Sequence, residues 1–118
     1  MTDADRLDTI TAQIREFRDA RDWKQFHNAK DMATAISIEA SELLEIFLWH
    51  NAEETESATV EKRDRIEEEM ADIAIYLVEM ADNLEIDLIE AMKRKLARNA
   101  AKYPVEKAKG SHAKYNEL

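Results

Sequence analysis

The stretch MATAISIEASELLEIFLW, residues 32–49, decides the reading of this chain. Met32, Ala35, Glu39, Glu42, Ile46 and Trp49 are spaced three, four, three, four and three apart, which is one face of an α-helix. Ile36, Ile38, Leu43, Leu44, Phe47 and Leu48 make the remaining faces nearly as apolar. Such a helix, expected over residues 29–49, is buried in a bundle or in an interface between subunits. Two glutamates nevertheless occupy positions that the pattern reserves for apolar side chains.

A second helix shows the same oddity. Residues 60–83 are expected to be helical, with Ile66, Met70, Ile73, Ala74, Leu77 and Met80 inward. Ile66, Glu69, Ile73, Tyr76 and Met80 form one stripe, and Asp72 lies one turn from Glu69 at its edge. If the two helices run antiparallel, Glu39 and Glu42 meet Glu69 and Asp72 at nearly the same height in the bundle.

The flanking segments complete an all-α, four-helix-bundle-type domain. Thr2 and Asp5 form an N-terminal capping pair, followed by an apolar face of Leu7, Ile10, Ile14 and Phe17 that fades by residues 20–22. Residues 23–28 hold two aromatics and a histidine without a period and read as a structured loop or single turn. Residues 51–59 are polar and acidic and read as a connecting loop. Asp87 and Glu90 make a capping box for a last helix with Leu88, Ile89, Met92 and Leu96 inward. Tyr103-Pro104 ends it, because the residue before proline avoids the helical region. Residues 1–104 are therefore expected to be one helical domain, and residues 105–118 a Lys-rich tail, ordered only against a ligand or partner. A bundle this small cannot cover the apolar second helix on every side, so a homodimer or homotetramer is expected.

Bulk composition narrows the functional classes. The 118 residues include one Gly and one Pro, which favours long helices over a turn-rich β fold. A net charge of −9 and a pI near 4.8 disfavour nucleic-acid polymers and anionic membrane surfaces. The sequence has no cysteine, as suits a reducing cytoplasm, and an acidic N-terminal stretch from Met1 to Asp5 unlike a signal peptide. No run approaches the roughly 18 apolar residues of a membrane span.

Four carboxylates on facing stripes would repel one another, and each costs several kcal/mol to bury unpaired. Neither stripe supplies a Lys or Arg between the pairs. Divalent cations solve the problem, and all-oxygen ligands select hard ions, Mg²⁺ or Mn²⁺, over zinc. A di-iron site would need Glu-x-x-His on two helices. Lys24, Phe47 and Lys109 stand three residues before His27, His50 and His112, so that motif is missing. The bland alternative is that the glutamates are surface residues on broadly charged helices.

Glu39-x-x-Glu42, a gap of 26 residues, then Glu69-x-x-Asp72 resembles the signature of the MazG-like all-α nucleotide pyrophosphohydrolases. Arg21-Asp22-Trp23-x-x-Phe26-His27, the run from Glu39 through Trp49, the run from Glu68 through Val78, and Lys95, Asn99, Tyr103-Pro104 and Lys114-Tyr115 resemble its dCTP pyrophosphatase branch. The resemblance spans essentially the whole chain. It implies a helical oligomer in which Glu39, Glu42, Glu69 and Asp72 bind Mg²⁺, with Mn²⁺ as a substitute. It implies that a water attacks the α-phosphorus of a nucleoside triphosphate, giving the monophosphate and pyrophosphate. It places Trp23, His27, Trp49 and Tyr76 around the base, and Lys95 and Asn99 at the sugar or phosphates. The expected substrate is dCTP or a modified nucleotide, and the expected role is house-cleaning of the nucleotide pool. Where the family's first helix can carry a histidine near the base, this chain has Ile14. Glu45, rotated off the stripe, is a candidate for orienting a water or ligand.

Each borrowed role has a simpler counterpart. Trp23 and Phe26 could seal the bundle end, Tyr76 could be a packed core aromatic, and Lys95 belongs to a basic helix face. The rival function is a non-catalytic helical interaction module whose acidic stripes bind a partner. A hydrolase acting on a guanosine polyphosphate is a third reading, for which the usual histidine and aspartate clusters are missing.

Overall fold

Thr2 and Asp5 open the first helix as a capping box. The Thr2 hydroxyl accepts from the Asp5 amide, and the Asp5 carboxylate accepts from the Thr2 amide. Helix α1 runs Asp3–Ala20. The structure, a computed structural model, describes residues 2–118; Met1, with which the acidic N-terminal stretch begins, lies outside them. Two bonds of 3.1 Å end α1, from the Trp23 amide to the Arg18 carbonyl and from the Asp22 amide to the Asp19 carbonyl. Asp22 takes the left-handed conformation this pattern requires, at φ 54°. The Gln25 amide donates to both the carbonyl and the carboxylate of Asp22. A single 3₁₀ turn, Lys24–Phe26, follows in the segment expected to be a loop or turn.

Asn28 accepts from the Asp31 amide and caps α2, Ala29–Glu45. The helix stops four residues before its expected end. Turns carry the chain on to Trp49, which lies in the left-handed region at φ 64°. The clearest departure from expectation comes next. Residues 51–59, read as a loop, belong to helix α3, Ala52–Glu61. Asn51 and Glu54 form a full capping box at its start, and the segment is rich in Ala and Glu, which are strong helix formers. The helix buries only Ala58, so it carries no apolar stripe to betray it.

Helix α4 therefore begins at Arg63 rather than 60, and runs to Asn83. Helix α5, Leu88–Lys102, is capped by Asp87, whose side chain accepts from the Glu90 amide. The return bond of the expected box does not occur among the described residues. The tail, residues 105–118, contains two short helical elements. It holds α6, Val105–Ala108, and a 3₁₀ turn, Tyr115–Glu117. Tyr115 packs edge-on against Tyr103 at 6.3 Å, with the Lys102 ammonium 4.8 Å from its ring.

The fold is all-α, with no strand among the described residues. The chain forms two compact units, one ending at Glu85 and the other Ile86–Leu118. That division falls inside the 1–104 stretch read from the sequence as one domain. In the first unit α2 lies along α4, on which α1 and α3 also pack. His27, just before α2, meets Glu79 near the end of α4, whereas Glu39 meets Glu69 and Asp72 nearer its start. The two helices are thus antiparallel, as the register argument requires. Met32 and Ile46 are fully buried, joined by Ile14, Ala58 and Ala81. On α4 the inward stripe is narrower than expected: Ile66, Ile73 and Met80 are partly covered, while Met70, Ala74 and Leu77 are exposed. The Arg15 guanidinium grips the Asp82 carboxylate with two bonds, of 3.0 and 2.6 Å, and ties α1 to α4.

Candidate active site

One carboxylate oxygen each from Glu39, Glu69 and Asp72 lie within 4.8 Å of one another. The helical phase places them there: Glu39 replaces an apolar residue on α2, and Glu69 and Asp72 share a face of α4. Glu42, one turn after Glu39, is outside this closest set but acts on it electrically. Burial, then Glu42, Asp72 and Glu69, push the Glu39 carboxyl up to about 7. Burial and then Glu42 raise Glu69 as well. Both Glu39 and Glu69 hold one carboxylate oxygen buried without a hydrogen-bond partner.

Buried polar atoms are nearly always satisfied, and an orphaned carboxylate oxygen is among the costliest exceptions. No Lys or Arg stands among the groups acting on Glu39 or Glu69. An oxygen-only donor set with two unsatisfied buried oxygens fits a hard divalent cation. The same cluster reaches Tyr76, whose hydroxyl is held above its ordinary range by burial first, then by Glu39, Asp72, Glu79 and Glu42.

Beside the cluster opens a cavity of about 680 Å³. Asp72 belongs to both, so the cavity and the carboxylates are continuous. Its walls are largely apolar: Ile14 and Phe17 from α1, Trp23 and Phe26 from the turn that follows, and Ile75 and Tyr76 from α4. The turn ending α1 swings Trp23 back against Phe17, with ring centres 5.7 Å apart and nearly perpendicular. The Trp23 and His27 rings are 6.3 Å apart. A volume of this size with flat aromatic walls suits a nucleobase and its sugar.

The structure thus brings together Glu39, Glu69 and Asp72, with Glu42 beside them, and Trp23, His27 and Tyr76 around the adjoining cavity. It does not bring Trp49 to that cavity. Trp49 is 91% exposed. Lys95 and Asn99 lie on α5, in the second unit. Glu45, at the last turn of α2, is exposed.

Sequence reasoning missed part of the cavity. Gln13, Phe17, Arg18, Ile75 and Glu79 line it without having been expected at the site. For Glu79 the signal was present. It lies three residues after Tyr76 on the inward stripe of α4, so the rule that exposes Glu69 exposes it too.

The MazG-like family profile matches residues 34–118. Over 114 residues the chain is 38% identical to dCTP pyrophosphatase 1 of Bos taurus and 36% identical to that of Homo sapiens. Each alignment covers 95% of this chain, with 68% of the bovine protein and 67% of the human one. The crystal structure of a pyrophosphatase from Archaeoglobus fulgidus superposes with a TM-score of 0.81 at 43% identity, covering 84% of this chain and 93% of that one. A carboxylate cluster between two antiparallel helices, a matching profile over most of the length and relatives above 30% identity lead to one conclusion: the chain belongs to the MazG-like family.

Proposed function

We propose that this chain is a divalent-metal-dependent nucleotide pyrophosphohydrolase that converts a (deoxy)nucleoside triphosphate and water to the monophosphate and pyrophosphate. The dCTP pyrophosphatases among its relatives point to dCTP as substrate, with a modified or non-canonical nucleotide as the other candidate. The observation that carries the reading is the pair of partnerless buried oxygens on Glu39 and Glu69, in a cluster whose third member, Asp72, lines an aromatic-walled cavity. Glu39, Glu42, Glu69 and Asp72 are the proposed ligands of Mg²⁺, with Mn²⁺ as substitute. Bound there, the ion would screen the triphosphate and stabilise charge developing at the α-phosphorus. The four carboxylates would hold the ion in place, while Trp23 and Tyr76 flank the base and His27 faces its edge. Lys95 and Asn99 are assigned to the phosphates or sugar.

The exposed apolar residues Ile38, Leu44 and Leu48 on and just after α2 support a homodimer or homotetramer. In that assembly Trp49 would reach the base pocket of a neighbouring subunit, since in its own it is exposed and stands outside the cavity that Asp72 lines. No described helix is long and apolar enough to cross a membrane. A cytoplasmic setting is the proposal that suits a cysteine-free nucleotide hydrolase.

The test is pyrophosphate release from a panel of nucleoside triphosphates, with Mg²⁺ and with chelator. Metal-dependent pyrophosphate from dCTP or a modified nucleotide is expected, with label in the nucleotide product in ¹⁸O-water. Orthophosphate as the first product would reject the reaction class, and label in pyrophosphate would reject attack at the α-phosphorus.

A further inference from the structure

Glu79 is a buried carboxylate outside the proposed metal cluster. It is 4% exposed, and it lies seven residues beyond Asp72, roughly 10 Å along α4 at 1.5 Å per residue. One of its oxygens stands 2.7 Å from Nδ1 of His27. The Asn83 amide approaches the same oxygen and the His27 carbonyl, each at 3.4 Å. Asn83 in turn accepts from the buried Arg18 guanidinium at 2.7 Å, and Arg18 is neutralised by Asp19 at 2.8 Å. The His27 backbone is held as well, between the 3₁₀ turn that it closes and the Asn28 cap of α2.

A carboxylate can only accept, so Nδ1 must carry the proton in this contact. Nε2 is then the ring nitrogen left for a ligand, and it has no hydrogen-bond partner among the described residues. Both His27 and Glu79 line the cavity. Most of the remaining lining is apolar, so few groups there can tell one base edge from another.

We propose that Glu79 is a positioning residue for base selection: it fixes the His27 ring with Nε2 turned to the polar edge of the base, so that discrimination between a 4-amino and a 4-keto pyrimidine depends on it. The proposal rests on the nucleotide reading above. Removing the carboxylate frees the ring to flip and change tautomer, and the pocket loses its orientation of that edge.

Two measurements test it. In ¹⁵N-labelled wild-type protein without nucleotide or metal, the ring-nitrogen shifts should show a protonated Nδ1 on His27. A bare Nδ1 with the proton on Nε2 alone would overturn the proposal, whatever the protein hydrolyses. With Mg²⁺, Glu79→Gln should change the ratio of kcat/KM for dCTP over dUTP by about tenfold, more through KM than kcat. In a His27→Ala background the same substitution should change that ratio less than about twofold, since the coupling runs through the histidine. An unchanged ratio in the first case, or an equal change in both backgrounds, overturns the role; Glu79→Ala repeats the cycle if the glutamine variant unfolds. Hydrolysis of no nucleotide by wild type would sink the nucleotide reading instead, while the ring-nitrogen result would still stand or fall separately.

Discussion

At Glu39, burial and three carboxylate neighbours all act against ionisation. Its folded-state value of about 7 lies above the ordinary 4.5, so the metal-free protein binds this proton more tightly folded than unfolded. The stability it contributes is full below about pH 4.5 and is lost as pH rises towards 7. Thermal melts with chelator should therefore show a midpoint that falls between pH 5 and 7, and Glu39→Gln should flatten that fall. A wild-type midpoint constant over this range would contradict the prediction. Activity responds the other way to charge removal. Glu42→Gln or Asp72→Asn should cut pyrophosphate release on the order of 1,000-fold, because several kcal/mol of charge stabilisation goes with the cation. Circular dichroism should show the helices intact, and near-wild-type turnover at saturating Mg²⁺ would remove these residues from the site. The cluster of Glu39, Glu69 and Asp72 was legible in the sequence because carboxylates on or beside an apolar stripe are conspicuous. Gln13 and Arg18 were not, since a polar residue on a charged helix looks the same whether it faces water or a cavity.

Helix α3 shows what periodicity cannot see. Its only buried residue is Ala58, so no stripe rises above the charged background of residues 51–61. The information lay in Asn51-x-x-Glu54, a capping box read past because the surrounding segment is polar. Asn51→Ala should cost about 1 kcal/mol in urea unfolding. A cost near zero would mean that packing of Ala58 alone holds the helix. The short end of α2 has a related cause. Ile46–Trp49 keep the apolar pattern of the helix, yet the backbone leaves it for turns, and Trp49 is carried outward at φ 64°. Hydrophobicity records which residues avoid water, not which partner covers them. The ends of α1 and α4, at Ala20 and Asn83, lie within a residue or two of the expected ones, because the apolar period itself fades there.

Charge is distributed unevenly along the molecule. Residues 86–118 carry eight Lys and Arg against four Asp and Glu, and the preceding residues carry nine against 22. If the basic segment supplies contacts to the triphosphate, KM should rise with salt, and Lys95→Ala should raise KM about tenfold while weakening that salt dependence. Equal salt slopes for wild type and variant would remove Lys95 from the phosphates. The exposed Trp49 gives a test of assembly. Glu42→Gln subunits mixed with inactive or weakened Trp49→Ala subunits should recover activity after exchange, because some sites then combine an intact cluster with an intact tryptophan. No recovery after verified exchange would confine Trp49 to an interface.

The unsatisfied oxygens of Glu39 and Glu69 also bear on how long the chain lasts in a cell. A cation that binds only the folded form shifts the population by RT ln(1 + [L]/Kd), and relief of carboxylate repulsion adds to its affinity for that form. Proteases cleave opened chains, so when opening is fast their rate follows the open fraction. Supply of the divalent ion would then govern abundance as well as turnover, with scarce metal shortening the lifetime of the idle enzyme. Limited proteolysis at fixed pH should slow as Mg²⁺ is raised through its binding range, and the Asp72→Asn variant should lose that protection.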